Sequence, residues 1–162
     1  MNTDWFQIVV SSDPNEFEWR KRKDYTLLED FGEETPFGFV YRIDNTITDK
    51  FYIGKKQLIS VTKKKLGKKE LLELPTQRGR KISRKTITKE ADWQNYWGSN
   101  KPLLADLKEL GKDKFTREIL HICKTKKELT YWEVYYQMHN HVLTSNSYND
   151  SILGRYFRKD FS

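Results

Sequence analysis

The chain has 162 residues, of which 36% are hydrophobic and 14% aromatic, so we expect one domain with a small, aromatic-rich core. The single cysteine, Cys123, excludes an internal disulfide framework and a zinc site built from several cysteines. No apolar run approaches the roughly 20 residues that span a bilayer. Residues 1–13 also lack the basic and then apolar pattern of a signal peptide. These features predict a soluble, cytoplasmic protein.

The net charge of +7 is distributed very unevenly along the chain. Between Lys55 and Lys89 there are thirteen Lys or Arg residues against two acids, a local charge of +11, so the rest of the chain carries −4. A solvated lysine loop would explain this segment, and so would a surface for nucleic-acid phosphates or for an anionic membrane. Its basic residues are interleaved with Gly and Pro and do not share one helical face, which favours nucleic acid.

The first half of the chain contains an extension and a predicted hairpin. Residues 1–35 are acidic and aromatic, and the sequence Asp-Pro-Asn-Glu at 13–16 is typical of a helix start. Alternating apolar residues at 37–43 and 50–56, joined by a polar link, predict a β-hairpin. Across this hairpin Tyr41 and Tyr52 are expected to lie close together on one face.

The segment after the hairpin, residues 57–89, is predicted to be an irregular basic insertion with one short helix over 68–74. A helix over 89–97 then marks the return of regular structure.

The rest of the chain is predicted to form a second helix, capped by Ser99 and ended by Gly111, then a third strand over 115–123 and a last helix capped by Thr125. This order predicts an α+β fold. Its core would be a small three-stranded antiparallel sheet flanked by helices, with the basic insertion after the second strand.

Glu133 lies near the middle of the last predicted helix, among bulky residues from Tyr131 to Tyr136. A carboxylate in such surroundings is expected to be partly buried and to need a cation, a base or a metal as its partner. A surface glutamate paired with a lysine such as Lys126 is the alternative, and the residues alone leave both open. The three histidines are too dispersed to predict a metal site.

The chain resembles the GIY-YIG nuclease family over residues 37–150. Phe39-Val40-Tyr41 and Tyr52-Ile53-Gly54 are similar to the two halves of the motif that names the family, and residues 111–120 are similar to its third strand and the approach to it. Glu133 stands where the family keeps its metal-binding glutamate. Tyr148-Asn149 resembles a late element whose asparagine supports the site. Tyr96-Trp97-Gly98-Ser99 and the short length are most similar to small freestanding endonucleases of T-even-type bacteriophages.

The resemblance implies a metal-dependent endonuclease that hydrolyses phosphodiester bonds of double-stranded DNA, with one Mg²⁺ or Mn²⁺ held by Glu133. Tyr41 or Tyr52 would orient and deprotonate the water. Lys55, Lys56 and an arginine would lower the pKa of the phenol, and Asn149 would hold the network in place. The basic residues expected to bind DNA are Lys55, Lys56, Lys63, Lys64, Lys65, Arg78, Arg80 and Lys81.

A nuclease domain over 36–162, following the extension 1–35, would then act in the cytoplasm of a bacterial host if the chain is phage-encoded. The implied partner is DNA, with neither a membrane nor an obligate protein partner, and a homodimer is compatible with the chain.

Two departures from the family pattern keep other interpretations open. The first triplet reads Phe-Val-Tyr where the family has Gly-Ile-Tyr, and the basic insertion occupies the region where the family carries its arginine. Arg84 is the preferred candidate for this arginine, with Arg78, Arg80 and Arg117 as alternatives. Tyr96 is the candidate for an additional histidine or tyrosine of the family. The chain could instead be a DNA-binding protein on a nuclease scaffold that no longer cleaves, or an interaction factor whose basic loop binds an acidic protein.

Overall fold

The computed structural model describes residues 3–10, 20–75, 79 and 82–162. It contains two compact units, one formed by Met1–Leu58 with Asp92–Ser162 and the other by Ile59–Ala91. The predicted helix start at 13–16 lies outside the described residues. Within the described part of the chain, no helix is both long enough and apolar enough to cross a membrane.

The elements follow one another in a mixed α and β order. They are β1 Trp5–Val10, β2 Arg20–Tyr25, β3 Gly38–Asn45, β4 Phe51–Gln57, β5 Ile59–Lys65, α1 Lys68–Leu72, β6 Arg84–Glu90, α2 Lys101–Leu110, β7 Phe115–Cys123, α3 Lys126–His139, β8 Ser151–Ile152 and β9 Tyr156–Phe157. The predicted hairpin, third strand and last helix are confirmed by β3, β4, β7 and α3.

The larger unit is built on a five-stranded sheet with the order β2-β1-β7-β3-β4. Strands β1 and β7 are parallel, and the other neighbours are antiparallel. The predicted sheet of three antiparallel strands is therefore wrong in its strand number and in its uniform direction. The extra strands come from the N-terminal region, where the sequence of β2, RKRKDY, has no apolar alternation because β2 is an edge strand of the sheet.

The two faces of this sheet bury different kinds of side chain. On one face, Leu129 of α3 packs in a cluster that includes Val40, Ile53 and Cys123. Phe39 and Tyr41 follow the alternation of β3 to the opposite face, where they form edge-to-face contacts with Trp5 at ring distances of 5.0 and 5.2 Å. The core is thus aliphatic under α3 and aromatic on the other side.

The segment between β6 and α2 is irregular, so the predicted helix over 89–97 is wrong. Its carbonyl groups are engaged by distant side chains. The Trp5 indole donates to the carbonyl of Trp93 at 2.8 Å, and the Arg117 guanidinium donates to those of Gln94 and Tyr96 at 2.8 and 2.9 Å. These tertiary bonds hold the segment in its irregular path and satisfy carbonyl groups that lie outside regular structure.

Helix α2 is capped by Asn100, whose side chain accepts from the backbone N–H of Leu103 at 3.0 Å. The expected cap at Ser99 is therefore displaced by one residue. The predicted end at Gly111 is confirmed, and the φ of +89° at this residue favours glycine. Thr125 caps α3 as predicted, accepting from the N–H of Glu128 at 3.2 Å.

The smaller unit contains the β5–β6 hairpin and the one-turn helix α1. The prediction of an irregular insertion is wrong, although its short helix is confirmed in shortened form. Lysines dominate the segment and obscure its strand signal, which comes from β-branched residues such as Val61, Thr62, Thr86 and Thr88.

Replacing Arg117 with methionine is expected to destabilise the larger unit. The guanidinium also donates to the Thr3 carbonyl at 2.8 and 2.9 Å, and only 4% of the residue is exposed, so its loss leaves three carbonyls without their donor. We expect the free energy of unfolding in urea to fall by about 3 kcal/mol. Arg22→Met is the control, since its exposed ion pair with Asp24 contributes about 1 kcal/mol or less. Equal losses in the two variants would contradict this role.

Candidate active site

Tyr41 and Tyr52 are brought together by the register of β3 and β4. Tyr41 lies directly opposite Gly54, which places Tyr52 diagonally across the strand pair with its ring 6.1 Å from that of Tyr41. A Cβ atom at Gly54 would lie 2.7 Å from the Tyr41 hydroxyl oxygen and 2.8 Å from the Tyr52 ring. Glycine is therefore required at this position by the close approach of both tyrosines.

The hydroxyl groups of the site form a connected chain. The Tyr41 hydroxyl lies near those of Tyr96 and Tyr52, and the Tyr52 hydroxyl lies near that of Ser99, closely enough for each to affect the ionisation of its neighbour. Gly98, at a φ of +87°, turns the irregular segment so that Tyr96 and Ser99 both reach the tyrosine pair. Tyr41 is 1% exposed, whereas Tyr52 is half-buried, so Tyr52 is the more accessible of the two.

Both phenols are harder to ionise than a tyrosine in water. Burial is the main cause in each case, and it raises the pKa of Tyr52 to about 12 and the pKa of Tyr41 well above its ordinary value. The negative charge of Glu133 raises both pKa values further. The expectation that Lys55 and Lys56 lower the phenol pKa is therefore wrong. Both phenols are hydrogen-bond donors at neutral pH.

Glu133 projects from α3 and forms an ion pair of 2.8 Å with Lys55 of β4. Lys55 also donates to the Thr130 hydroxyl at 3.2 Å, one turn earlier in the helix. The exposed fraction of the Glu133 side chain is 16%, so it is the partly buried carboxylate that the sequence suggested. Its partner is Lys55 rather than Lys126. Lys56 lies on the other face of the strand, with its ammonium 4.0 Å from the centre of the Tyr96 ring.

Asn149 fixes the backbone of β4 at Ile53, between Tyr52 and Gly54. Its amide oxygen accepts from the Ile53 N–H at 3.0 Å, and its amide nitrogen donates to the Ile53 carbonyl at 2.8 Å. Gln137 of α3 donates to the same carbonyl at 3.0 Å, and both side chains are buried. Asn149 thus contacts the strand backbone and holds Tyr52 and Gly54 in place.

Two supporting residues lack a clear signal in the sequence. Arg158 donates to the carbonyls of Val142, Ser147 and Asn149, and so orders the loop that carries Asn149. Tyr148 donates to Asp106 at 2.6 Å and accepts from Asn45 at 2.9 Å, which ties the loop to α2 and to the end of β3. Their roles arise from the packing of residues distant in sequence, which no local pattern records.

The predicted arginine candidates are found in three different situations. Arg117 is committed to backbone carbonyls and is stacked on Trp5 and Trp97, so its proposed substitution for the family arginine is wrong. Arg84 is exposed at the start of β6 in the smaller unit. Arg78 and Arg80 lie outside the described residues, as does Lys81. The exposed lysines of the DNA-binding set, Lys63, Lys64 and Lys65, follow one another at the end of β5.

An open pocket of about 390 Å³ borders the hydroxyl chain on the side of Tyr96. Its walls combine aromatic and basic residues with Gly98, and they include Trp97, Lys108 and Lys112. Aromatic rings beside lysines suit a ligand with flat rings and negative charge, such as a nucleotide.

Comparison with known families agrees with this arrangement. A family model described as "Putative endonuclease segE, GIY-YIG domain" matches residues 19–159, which is more than half of the chain. No match is found among curated proteins or among solved structures.

Gly54→Ala is expected to lower the free energy of unfolding by about 2 kcal/mol, because the added methyl group overlaps two buried rings. Urea denaturation measures the change. Gly67→Ala is the matched control, since its Cβ would lie 3.6 Å from its nearest neighbour, an ordinary contact, and we expect a cost of at most about 1 kcal/mol. A Gly54 variant as stable as the control would show that the tyrosines do not need this close approach.

Tyr52 is expected to ionise later than an exposed tyrosine in an ultraviolet titration of phenolate absorbance. The difference between the unmodified chain and Tyr52→Phe should have its midpoint at about pH 12. Because this value exceeds the ordinary 10.0, the phenol stabilises the fold below pH 10, and this stabilisation is lost as the pH rises to about 12. A midpoint near 10 would contradict the burial of this hydroxyl.

Proposed function

The chain belongs to the GIY-YIG endonuclease family, through the SegE type of this domain, and we propose that it is a metal-dependent endonuclease. Its reaction would be the hydrolysis of phosphodiester bonds in double-stranded DNA. Membership of the family implies nuclease activity on DNA. The observation that supports the finer proposal is the pairing of Tyr41 with Tyr52 on β3 and β4, the strands on which the helix of Glu133 packs. The Glu133 carboxylate is paired with Lys55 and is near enough for its charge to raise the pKa of both phenols.

Glu133 is the residue that we propose to hold the metal. Among the described residues, no group of three or more His, Cys, Asp or Glu side chains lies together, so Glu133 is not part of a cage of that size. This donor set fits Mg²⁺ or Mn²⁺, because Mg²⁺ is commonly bound by one or two carboxylates and completes its shell with water and phosphate oxygens. Such an ion, when bound, neutralises charge on the phosphate and lowers the pKa of coordinated water.

The tyrosines are proposed to act as donors and not as bases. A phenol with a pKa of about 12 remains protonated at neutral pH, so Tyr52 can donate its hydrogen bond to a non-bridging phosphate oxygen or to the attacking water. Tyr41, which is buried, and Tyr96, which is partly buried, would orient the neighbouring Tyr52 hydroxyl. The water would then be oriented by the phenols, and its proton would pass to bulk water.

The positive charge of the site is proposed to come from lysines of β4. The Lys55 ammonium is paired with the Glu133 carboxylate. When this carboxylate binds a cation, Lys55 can form an ion pair with a phosphate instead. Lys56 lies beside Tyr96 and the pocket, where the nucleotide next to the scissile bond would be held. Asn149 is our proposal for the residue that maintains the strand.

Glu133→Gln is expected to reduce Mg²⁺-dependent cleavage of duplex DNA by at least about a hundredfold, because the amide keeps the shape and loses the charge that binds the metal. Plasmid nicking with Mg²⁺ and with EDTA measures the effect, and DNA binding in EDTA should persist. Glu109→Gln, an exposed glutamate of α2, is the control and should cleave at the normal rate.

The outcomes separate the alternatives. Cleavage that is equal in the two variants would rule out Glu133 as the metal ligand. Salt-sensitive DNA binding without cleavage in the unmodified chain would favour a scaffold that has lost its activity. Absence of DNA binding would favour an acidic protein as the partner of the basic segment.

A further inference from the structure

The β5–β6 hairpin exposes nearly all of its side chains on both faces. Apart from Ile59 and Ile87, which are partly buried, every residue of β5 and every residue of β6 is exposed. The strands pair in antiparallel register, with Val61 opposite Thr88, Lys63 opposite Thr86, and Lys65 opposite Arg84. Residues directly opposite each other share a face. The hairpin is therefore a two-stranded ribbon whose faces can be assigned residue by residue.

Helix α1 contacts one face of the ribbon through Glu70, and we call this the covered face. Glu70 forms an ion pair with Lys85, whose hydrogen bond is the main cause that lowers the pKa of Glu70, and the charges of Lys85 and Lys64 lower it further. Lys64 lies opposite Lys85, so by alternation this face also carries Ser60, Thr62, Ile87 and Lys89. Glu70 therefore offsets part of the positive charge of the three lysines.

Among the described residues, the opposite face, which we call the open face, has no ion pair like the one that Glu70 makes on the covered face. It consists of Ile59, Val61, Lys63, Lys65, Arg84, Thr86, Thr88 and Glu90. Among the described residues, Lys63, Lys65 and Arg84 have no acidic side chain within ion-pair distance. Like charges directly opposite each other, as in the Lys65–Arg84 pair, destabilise a hairpin, and an isolated two-stranded hairpin is itself only marginally stable. This face is therefore suited to an anionic partner.

We propose that the open face of the β5–β6 ribbon enters the major groove of duplex DNA and reads base sequence. The major groove is about 12 Å wide and admits a two-stranded ribbon, whose strands are about 4.8 Å apart. Val61 and the threonine methyl groups match the methyl group of thymine, and the threonine hydroxyls and Lys63 match the hydrogen-bonding edges of the bases. Lys65 and Arg84 form the basic end of this face.

The same residues distinguish the recognition of base sequence from binding to DNA phosphates by charge alone. Phosphate binding alone needs positive charge and no particular shape. The open face instead alternates β-branched side chains with cations in a regular strand geometry, and it places the hydroxyls of Thr86 and Thr88 on the same side as Lys63. The proposal rests on the proposed function for its choice of DNA as the partner, and it assigns the recognition of sequence to the ribbon.

The test is a binding selection from a random duplex library, made in EDTA with the full chain so that cleavage plays no part. Thr86→Val with Thr88→Val removes two hydroxyls from the open face and keeps strand propensity. Ser60→Ala with Thr62→Val removes two hydroxyls from the covered face as a matched control. We expect the open-face variant to lose base preference by about fivefold or more at one or more positions, and the control to select the same sequences as the unmodified chain.

The dependence of affinity on salt should be the same in all three proteins, because no charge changes. Identical selected sequences from the open-face variant and the unmodified chain would overturn the proposal. So would an unmodified chain that selects no sequence, or equal losses from the two faces. A chain that selects sequences but does not cleave with Mg²⁺ would overturn the nuclease proposal and leave the ribbon as the reader. A chain that cleaves with Mg²⁺, but whose sequence preference is unchanged in the open-face variant, would overturn the ribbon proposal and leave the nuclease proposal in place.

Discussion

The candidate site depends on one steric constraint, the contact between the Tyr41 hydroxyl and the backbone at Gly54. The two residues are directly opposite in the β3–β4 register, and a side chain at Gly54 would overlap both tyrosine rings. A slip of one residue would move Tyr41 and Tyr52 to opposite faces or out of contact, because side chains alternate along a strand. The glycine therefore fixes which tyrosines meet, and every other feature of the site is arranged around that pair.

Two buried polar clusters maintain this contact from either side. Asn149 and Gln137 bind the peptide groups of Ile53, which lies between Tyr52 and Gly54, so the strand cannot shift without leaving their amides unpaired. On the aromatic face, Arg117 binds the carbonyl of Tyr96 and so positions the residue whose hydroxyl meets Tyr41. Burial of the phenols between these clusters explains why they resist ionisation. It also directs the proposed chemistry towards hydrogen-bond donation and away from a phenolate base.

The parts of the structure that sequence predicts are those governed by local patterns. The alternation of apolar and polar residues predicts β3, β4 and β7, and the capping residues predict both ends of α2 to within one residue. These signals involve neighbours in the chain. The helix expected over 89–97 does not form. Residues 89 and 90 pair in β6, and bonds from Trp5 and Arg117, which are far away in sequence, hold residues 93–96 in an irregular path. Strands β2, β5 and β6 are not predicted because exposed strands rich in Lys and Arg show no apolar period, and the apolar β1 lacks a strict alternation. Within the site, the hairpin predicts the meeting of Tyr41 with Tyr52, but the partner of Glu133 and the direction of the phenol pKa shifts depend on burial.

The contrast between the two faces of the β5–β6 ribbon bears on how affinity and stability are related in this chain. Glu70 stabilises the covered face by balancing Lys64 and Lys85, whereas among the described residues the Lys65–Arg84 pair has no acid to balance it. A second glutamate near this pair would stabilise the free hairpin, but it would also repel phosphates. The repulsion within this pair, which has no described counter-charge, therefore lowers the stability of the free hairpin. Binding of an anion would restore that stability. Such a hairpin would be more ordered on DNA than in solution, and part of its binding free energy would be used to hold the strands together.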